Sequence, residues 1–141
     1  MAHLYQHTLM DHYRHPRNRG TLAQPDFTSG LLNPSCGDRV ALAGQVADNL
    51  VTLLKFEGHG CVISQATASL LTEAVINKPI DELCRLDKDF VLAMIGMDLG
   101  PTRLKCALLP LEALHKGLAH YIQQKGSTCS IEQNSCMHSK V

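Results

Sequence analysis

No stretch of this chain approaches the run of about 18 apolar residues that a membrane-spanning helix needs. Nothing in it is therefore expected to cross a bilayer. The opening Met-Ala-His-Leu-Tyr-Gln-His lacks the charged-then-apolar order of a secretory signal, so the expected compartment is the cytoplasm. An excess of either charge is missing too. Lys plus Arg and Asp plus Glu both number 13, which argues against a broad basic grip on nucleic acid. There is no CxxC, which removes zinc ribbons and thioredoxin-like motifs. There is also no GxGxxG, GxxxxGK[ST] or HExxH, so the common nucleotide and zinc-protease signatures are absent.

What is present is a globular composition, 45% hydrophobic and 18% charged, over 141 residues. That is enough for one compact domain and too little for two. Six cysteines in a cytoplasmic setting are expected to be reduced, metal-binding or catalytic rather than a disulfide framework. The first of interest sits in Asn33-Pro34-Ser35-Cys36-Gly37-Asp38. Asn, Pro, Ser and Gly each favour a turn, and a turn can aim Cys36 and Asp38 at one point. Alone, Cys36 proves little, because a free cysteine is more often a small buried hydrophobe than a ligand.

The periodicity predicts a helix over His3 to Arg14, with Tyr5, Leu9 and Tyr13 as its apolar stripe, ended by Pro16. Residues 14–20 then form a basic turn, either a solvated helix exit or a docking patch for an acidic partner surface. A short strand is expected over Gln24 to Leu32. A hairpin follows: Arg39 to Ala47 with Val40, Leu42, Gly44 and Val46 on one side, a turn at Asp48-Asn49, and Leu50 to Glu57 with Leu50, Thr52, Leu54 and Phe56 on one face.

Gly58 and Gly60 let the chain turn sharply around His59. A helix is expected from Val62 to Ile76, with Ile63, Ala66, Leu70 and Ala74 in line, stopped by Asn77-Lys78-Pro79. Cys61 thus falls at a helix start, where free N–H groups favour a thiolate. Ile80 to Leu86 reads as a short helix with Cys84 on its core side, and Asp87 as the N-cap of another that ends near Gly96. Thr102 to Ala107 enters the last helix, with Pro110 in the first turn of its regular part and Leu111, Leu114, Leu118 and Ile122 on its apolar face. Cys106, beside Arg103 and Lys105, is the most reactive-looking thiol of the six. A single domain over 1–124 is expected, with 125–141 a flexible tail carrying Cys129, Cys136 and His138.

Cys36 precedes the hairpin and Cys61 follows it, and an antiparallel hairpin brings its two ends together. Cys106 joins them if the last helix packs back onto the same rim. Three thiolates plus the Asp38 carboxylate would make a four-ligand site suited to zinc or to iron–sulfur iron. Intervals of 24 and 44 residues match no compact ligand motif, so spacing alone leaves a shared site open.

Several motifs in order carry a resemblance. They are Asp11-His12-Tyr13 with Pro16-Arg17-Asn18-x-Gly20, and Asn33-Pro34-x-Cys36-Gly37-Asp38. Phe56-x-Gly58-x-Gly60-Cys61-x-Ile63-Ser64 with Ala68-Ser69 comes next, then Arg103-x-Lys105-Cys106-Ala107 with Leu109-Pro110. From Leu4 to Ile122 the chain resembles the IscU/SufU/NifU-N-terminal family of iron–sulfur cluster assembly scaffolds. The resemblance implies a SufE/NifU-like α+β fold, a three-stranded antiparallel sheet packed by helices on one face. Cys36, Asp38, Cys61 and Cys106 would gather at one end. In such proteins a cysteine desulfurase passes persulfide sulfur to a scaffold cysteine, here Cys106 or Cys36. A transient [2Fe-2S] cluster forms and is handed to acceptor proteins.

Where the IscU branch has a histidine before the third cysteine, this chain has Lys105. It also lacks that branch's Leu-Pro-Pro-Val-Lys signal at Leu99-Gly100-Pro101-Thr102-Arg103, which argues against a dedicated chaperone. The SufU branch matches better at the third motif but carries an insertion before it, for which Met97 to Thr102 leaves no room. In that branch the same ligands hold zinc and the protein relays sulfur. The resemblance thus implies either a cluster scaffold or a zinc-dependent sulfurtransferase.

Overall fold

The computed structural model describes residues 2–34 and 37–125, with side chains from residue 7 onward. Helix α1 (Ala2–Arg14) leads into strands β1 (Phe27–Asn33), β2 (Asp38–Ala47) and β3 (Leu50–His59). Helix α2 (Val62–Val75), a two-residue strand β4 (Lys78–Pro79), short helices α3 (Ile80–Cys84) and α4 (Lys88–Ile95) and the long α5 (Pro101–Lys125) complete it. The strands form one antiparallel sheet in the order β1-β2-β3-β4. This is the expected α+β class. β4 adds a fourth strand to the three anticipated, because Asn77 at φ 70° turns the chain beside Leu50 and Val51.

Helices α2 and α5 cover one face of the sheet. Val40, Leu42, Val51, Leu54 and Phe56 point into that layer and meet Leu71, Val75, Leu114 and Leu118. Fully burying such a side chain is worth about 1.5–3 kcal/mol. The Phe27 ring lies so close over Gly44 and Gly117 that neither position has space for a Cβ. Ser29 ties β1 to α5, its hydroxyl donating to the Ala113 carbonyl at 2.6 Å.

Four expectations are corrected. On β3 the alternation from Phe56 and Leu54 predicted Thr52 and Leu50 inward, but Val51 is fully buried and Thr52 exposed. The ladder pairs Gln45 with Leu53 and then Val46 with Val51. Thr52 is thus an extra residue, and such a bulge inverts the side-chain parity beyond it. On α1, Tyr13 is 40% exposed, while His12 turns inward beside Leu9. Polar partners on α2 set this rotation: His12 Nδ1 lies 2.8 Å from Ser69 Oγ. On helix α2 only Ala66 of the expected stripe is fully buried, with Ile63, Leu70 and Ala74 half-buried, while Ser64, Gln65, Thr67, Ser69 and Thr72 are buried, because the helix lies between α1, α5 and the sheet. Helix α5 begins at Pro101, which places Pro110 in its interior. A proline there supplies no N–H to the carbonyl four residues back, and that residue is Cys106.

The basic turn is built into the fold. The Arg17 N–H donates to Ser69 Oγ at 2.8 Å and Asn18 Nδ2 to Thr72 Oγ1 at 3.2 Å. The Gly20 and Phe56 N–H groups bond back across the turn to the Phe56 and Asn18 carbonyls. Other anticipated features stand: Asp87 caps α4 at 3.2 Å from the Phe90 N–H, Gly96 ends it at φ 74°, and Cys84 is core.

One buried histidine, His12, and one half-buried histidine, His115, make stability pH-dependent. Burial, aided by Arg17 against the opposing pull of Glu73 and Asp11, holds His12 below the ordinary imidazole value of 6.5. Burial does the same to His115, against the opposing hydrogen bond to the Leu83 carbonyl at 3.1 Å. Above pH 6.5 both are neutral folded or unfolded, and their contribution is complete. Below it the unfolded chain takes up protons that the folded chain resists, so stability falls through the lowered folded values. The urea midpoint should drop as the pH is lowered through and below 6.5. His115→Gln should make that drop shallower, and an unchanged slope would remove His115 from the account.

Candidate metal centre

The connection 34–37 joins β1 to β2, and its closing bond runs from the Gly37 N–H to the Asn33 carbonyl at 2.7 Å. Asp38, the first residue of β2, pairs with Asn33. One residue along, Arg39 faces His59, so the end of β3 returns beside the start of β2. Cys61 follows as the N-cap of α2. The hairpin thus brings Asp38 to Cys61, as the sequence anticipated. Cys36 lies outside the described residues, as do Cys129, Cys136 and His138.

Asp38 is 2% exposed. Its Oδ1 accepts the Cys61 N–H at 3.0 Å, and its Oδ2 accepts from the Cys61 thiol at 3.2 Å. Cys61 itself is exposed. The Ser64 N–H, three residues into α2, donates to its sulfur at 3.5 Å. A cysteine therefore occupies the capping position usually filled by Ser, Thr, Asp or Asn. Its sulfur meets an otherwise orphaned helix N–H. The approach is close because Gly60, at φ +152°, packs against Asp38. A Cβ there would overlap the Asp38 carboxylate.

Cys106, in the second turn of α5, completes the group. One ligand-capable atom each from Asp38, Cys61 and Cys106 lies within 4.8 Å of the other two. Cys106 is 4% exposed but lines a cavity of about 510 Å³ with Cys61, Leu9, Met10, Met97 and Arg103. The thiols thus sit at the foot of an apolar cleft between α1, the start of α2 and the start of α5. Lys105 points elsewhere, lining a separate cavity of about 280 Å³ with Pro34 and Glu112. The parts that sequence reasoning missed are Ser64, the Gly60 contact, and Met10 and Met97 in the cleft. Ser64 was legible as the third residue after a helix-capping Cys61; the two methionines carried no signal.

Two thiols and a carboxylate converging at one end of a one-face-covered antiparallel sheet define a small α+β domain with a soft, metal-capable rim. The family description "NifU-like N terminal domain" matches residues 4–128, and the chain belongs to that family. It is 39% identical over 133 residues to the zinc-dependent sulfurtransferase SufU of Bacillus subtilis, covering 82% of this chain and 90% of that protein. It is 30% identical over 130 residues to the iron–sulfur cluster assembly scaffold protein IscU 1 of Archaeoglobus fulgidus, covering 92% and 84%. A solved SUF-system scaffold, FiSufU of Fervidobacterium Islandicum AW-1, superposes with a TM-score of 0.68 at 26% identity, over 84% of this chain and 99% of that one. Among the described residues no helix is long and apolar enough to cross a membrane.

Proposed function

We propose that this chain is an iron–sulfur cluster assembly scaffold. It accepts sulfur from a cysteine desulfurase, gathers iron, and holds a transient [2Fe-2S] cluster on Cys36, Asp38, Cys61 and Cys106 before passing it to acceptor proteins. The observation that carries this reading is the convergence of Asp38, Cys61 and Cys106 within 4.8 Å beside an open cleft.

The donor set suits a soft metal. Zinc–thiolate bonds of about 2.3 Å place tetrahedral ligand atoms about 3.8 Å apart, so the three atoms need draw in by at most about 1 Å. Metal uptake displaces the proton that Cys61 shares with Asp38, so affinity rises with pH. In the sulfur step, a Cys106 or Cys36 thiolate attacks the terminal sulfur of the desulfurase persulfide. A new S–S bond forms on this chain, the old one breaks, and the desulfurase leaves as a thiolate. The cleft gives Cys106 its access.

Asp38 tunes release. Oxygen is the poorer partner for iron–sulfur iron, so one carboxylate among thiolates keeps the cargo labile. Asp38→Ala should slow cluster transfer to an apo-ferredoxin by about tenfold. Transfer at the wild-type rate would remove that role.

A second reading, a zinc-dependent sulfurtransferase, draws support from Lys105 in place of a ligating histidine and from the 39% identity to SufU. In that case zinc would hold the same thiolates deprotonated for exchange. Anaerobic reconstitution with iron, cysteine and a desulfurase separates the two. A stable brown visible spectrum supports the scaffold. Tight zinc without a chromophore, alongside stimulated desulfurase turnover, overturns it in favour of the relay.

A further inference from the structure

Of the two thiols described at the rim, Cys106 is buried and Cys61 is exposed. Packing can hold the first side chain. The second depends on hydrogen bonds, and apart from those to Asp38 they all come from two residues in the first turn of α2. The Cys61 carbonyl accepts twice, from the Gln65 N–H at 3.2 Å and from Ser64 Oγ at 3.3 Å. Its sulfur accepts the Ser64 N–H at 3.5 Å and lies 3.9 Å from Ser64 Oγ. Ser64 is buried and is itself held, because Gln65 Nε2 lies 3.2 Å from its hydroxyl. The hydroxyl proton is committed to the Cys61 carbonyl, so the oxygen accepts from the amide, and the NH₂ of Gln65 faces Ser64.

That orientation has a cost. Gln65 is 8% exposed, and its Oε1 is buried with no hydrogen-bond partner among the described residues. An unmet buried acceptor opposes folding, and a methionine of similar length would fill the same space without one. The amide also needs Gly58 at the end of β3, where a Cβ would lie 2.9 Å from Gln65 Oε1 and 3.0 Å from Nε2. A glycine thus makes room for an amide that forgoes one of its own bonds to hold one serine hydroxyl. Departures from the locally most stable choice are expected mainly at functional sites, and this chain of contacts ends at Cys61.

We propose that Gln65 and Ser64 are positioning residues for the metal centre: Gln65 fixes the Ser64 hydroxyl, and Ser64 keeps Cys61 in the rotamer whose sulfur faces Asp38 and Cys106. The proposal rests on the reading of this rim as a metal centre. The thiol bond from Cys61 to Asp38 Oδ2 uses the proton that a metal displaces. The bonds from Ser64 do not depend on that proton, so they can aim the sulfur whether the site is empty or loaded.

Gln65→Met separates positioning from support of the fold. Its urea midpoint should be no lower than that of the wild type, because an unmet acceptor is removed together with the bond to Ser64. Its zinc affinity, read by chelator competition, should fall about tenfold. In the metal-free chain the Cys61 Hα–Hβ couplings, those of a single rotamer in the wild type, should become averaged. Thr67→Val is the control: it removes another buried oxygen without a partner two residues further along α2, and it should leave affinity and couplings unchanged. Because Gln65 acts through Ser64, Gln65→Met should add less than about twofold to the loss caused by Ser64→Ala. The proposal is overturned if Gln65→Met keeps wild-type affinity and couplings, if its affinity falls only in step with its stability, or if the two losses multiply in full. A wild-type chain that binds no zinc would overturn the metal-centre reading instead, and the couplings of the metal-free chain would still decide whether Ser64 and Gln65 set the Cys61 rotamer.

Discussion

Replacing Gly60 with alanine is expected to lower zinc affinity on the order of 100-fold or more, beyond the 10–100-fold typical of removing a partner of a metal ligand. The added Cβ has nowhere to go. It would overlap the Asp38 Oδ1, lie 2.6 Å from the carboxylate carbon and 3.0 Å from the Asp38 Cα. The backbone there is at φ +152°, which an L side chain rarely adopts. Either the carboxylate swings away or the end of β3 moves. Both outcomes separate Asp38 from the Cys61 N–H and sulfur that it now meets at 3.0 and 3.2 Å. One methyl group therefore disturbs two of the three residues that converge at the candidate site. Backbone strain should add a stability cost of about 1–3 kcal/mol. Competition with a chromophoric zinc chelator measures the affinity, and Gly100→Ala, where a Cβ meets nothing within 4 Å, is the control. Native affinity in Gly60→Ala would show that the packing of Gly60 on Asp38 is irrelevant to the site.

Cys106→Ser should abolish both cluster assembly and sulfur acceptance. A serine hydroxyl stays protonated at neutral pH and offers neither a soft ligand nor a thiolate nucleophile. The side chain is small and nearly the same shape, so the fold should survive. Cys84→Ser tests the reasoning by contrast. Cys84 is 2% exposed and packs in the core between α3 and its neighbours. A hydroxyl there should cost about 1–3 kcal/mol of stability and leave metal content and sulfur uptake intact. Persulfide labelling after incubation with a desulfurase, with urea unfolding alongside, reads both effects. If Cys106→Ser still assembles cluster and accepts sulfur, Cys106 has neither role.

The pairing of Asp38 with Cys61 could be read before any coordinates, because a hairpin with a two-residue Asp48-Asn49 turn must return its second strand to the start of its first. Both turn residues take positive φ, 54° and 66°, as such tight hairpins favour. Asp87 and Gly96 were legible for the same reason: capping chemistry is local and leaves a signature within a few residues. The errors lie where packing overrules local pattern. Thr52 alternates correctly in sequence but is displaced by a bulge that no residue announces. Tyr13 fits an apolar stripe, yet the polar contact from His12 to Ser69 rotates α1 away from it. Pro110 looks like a helix start, yet α5 continues through it.

The sequence by itself determined most of the elements, the helix-ending residues Asp87 and Gly96, and which residue types are candidates for the site, since these depend on neighbours a few positions away. It also carried the motifs that identify the family. Only the tertiary structure decided that Cys106 meets Asp38 and Cys61, because that depends on how α5 packs across the sheet. It likewise decided that Gly60 must be glycine, since the clash is with a residue from another strand.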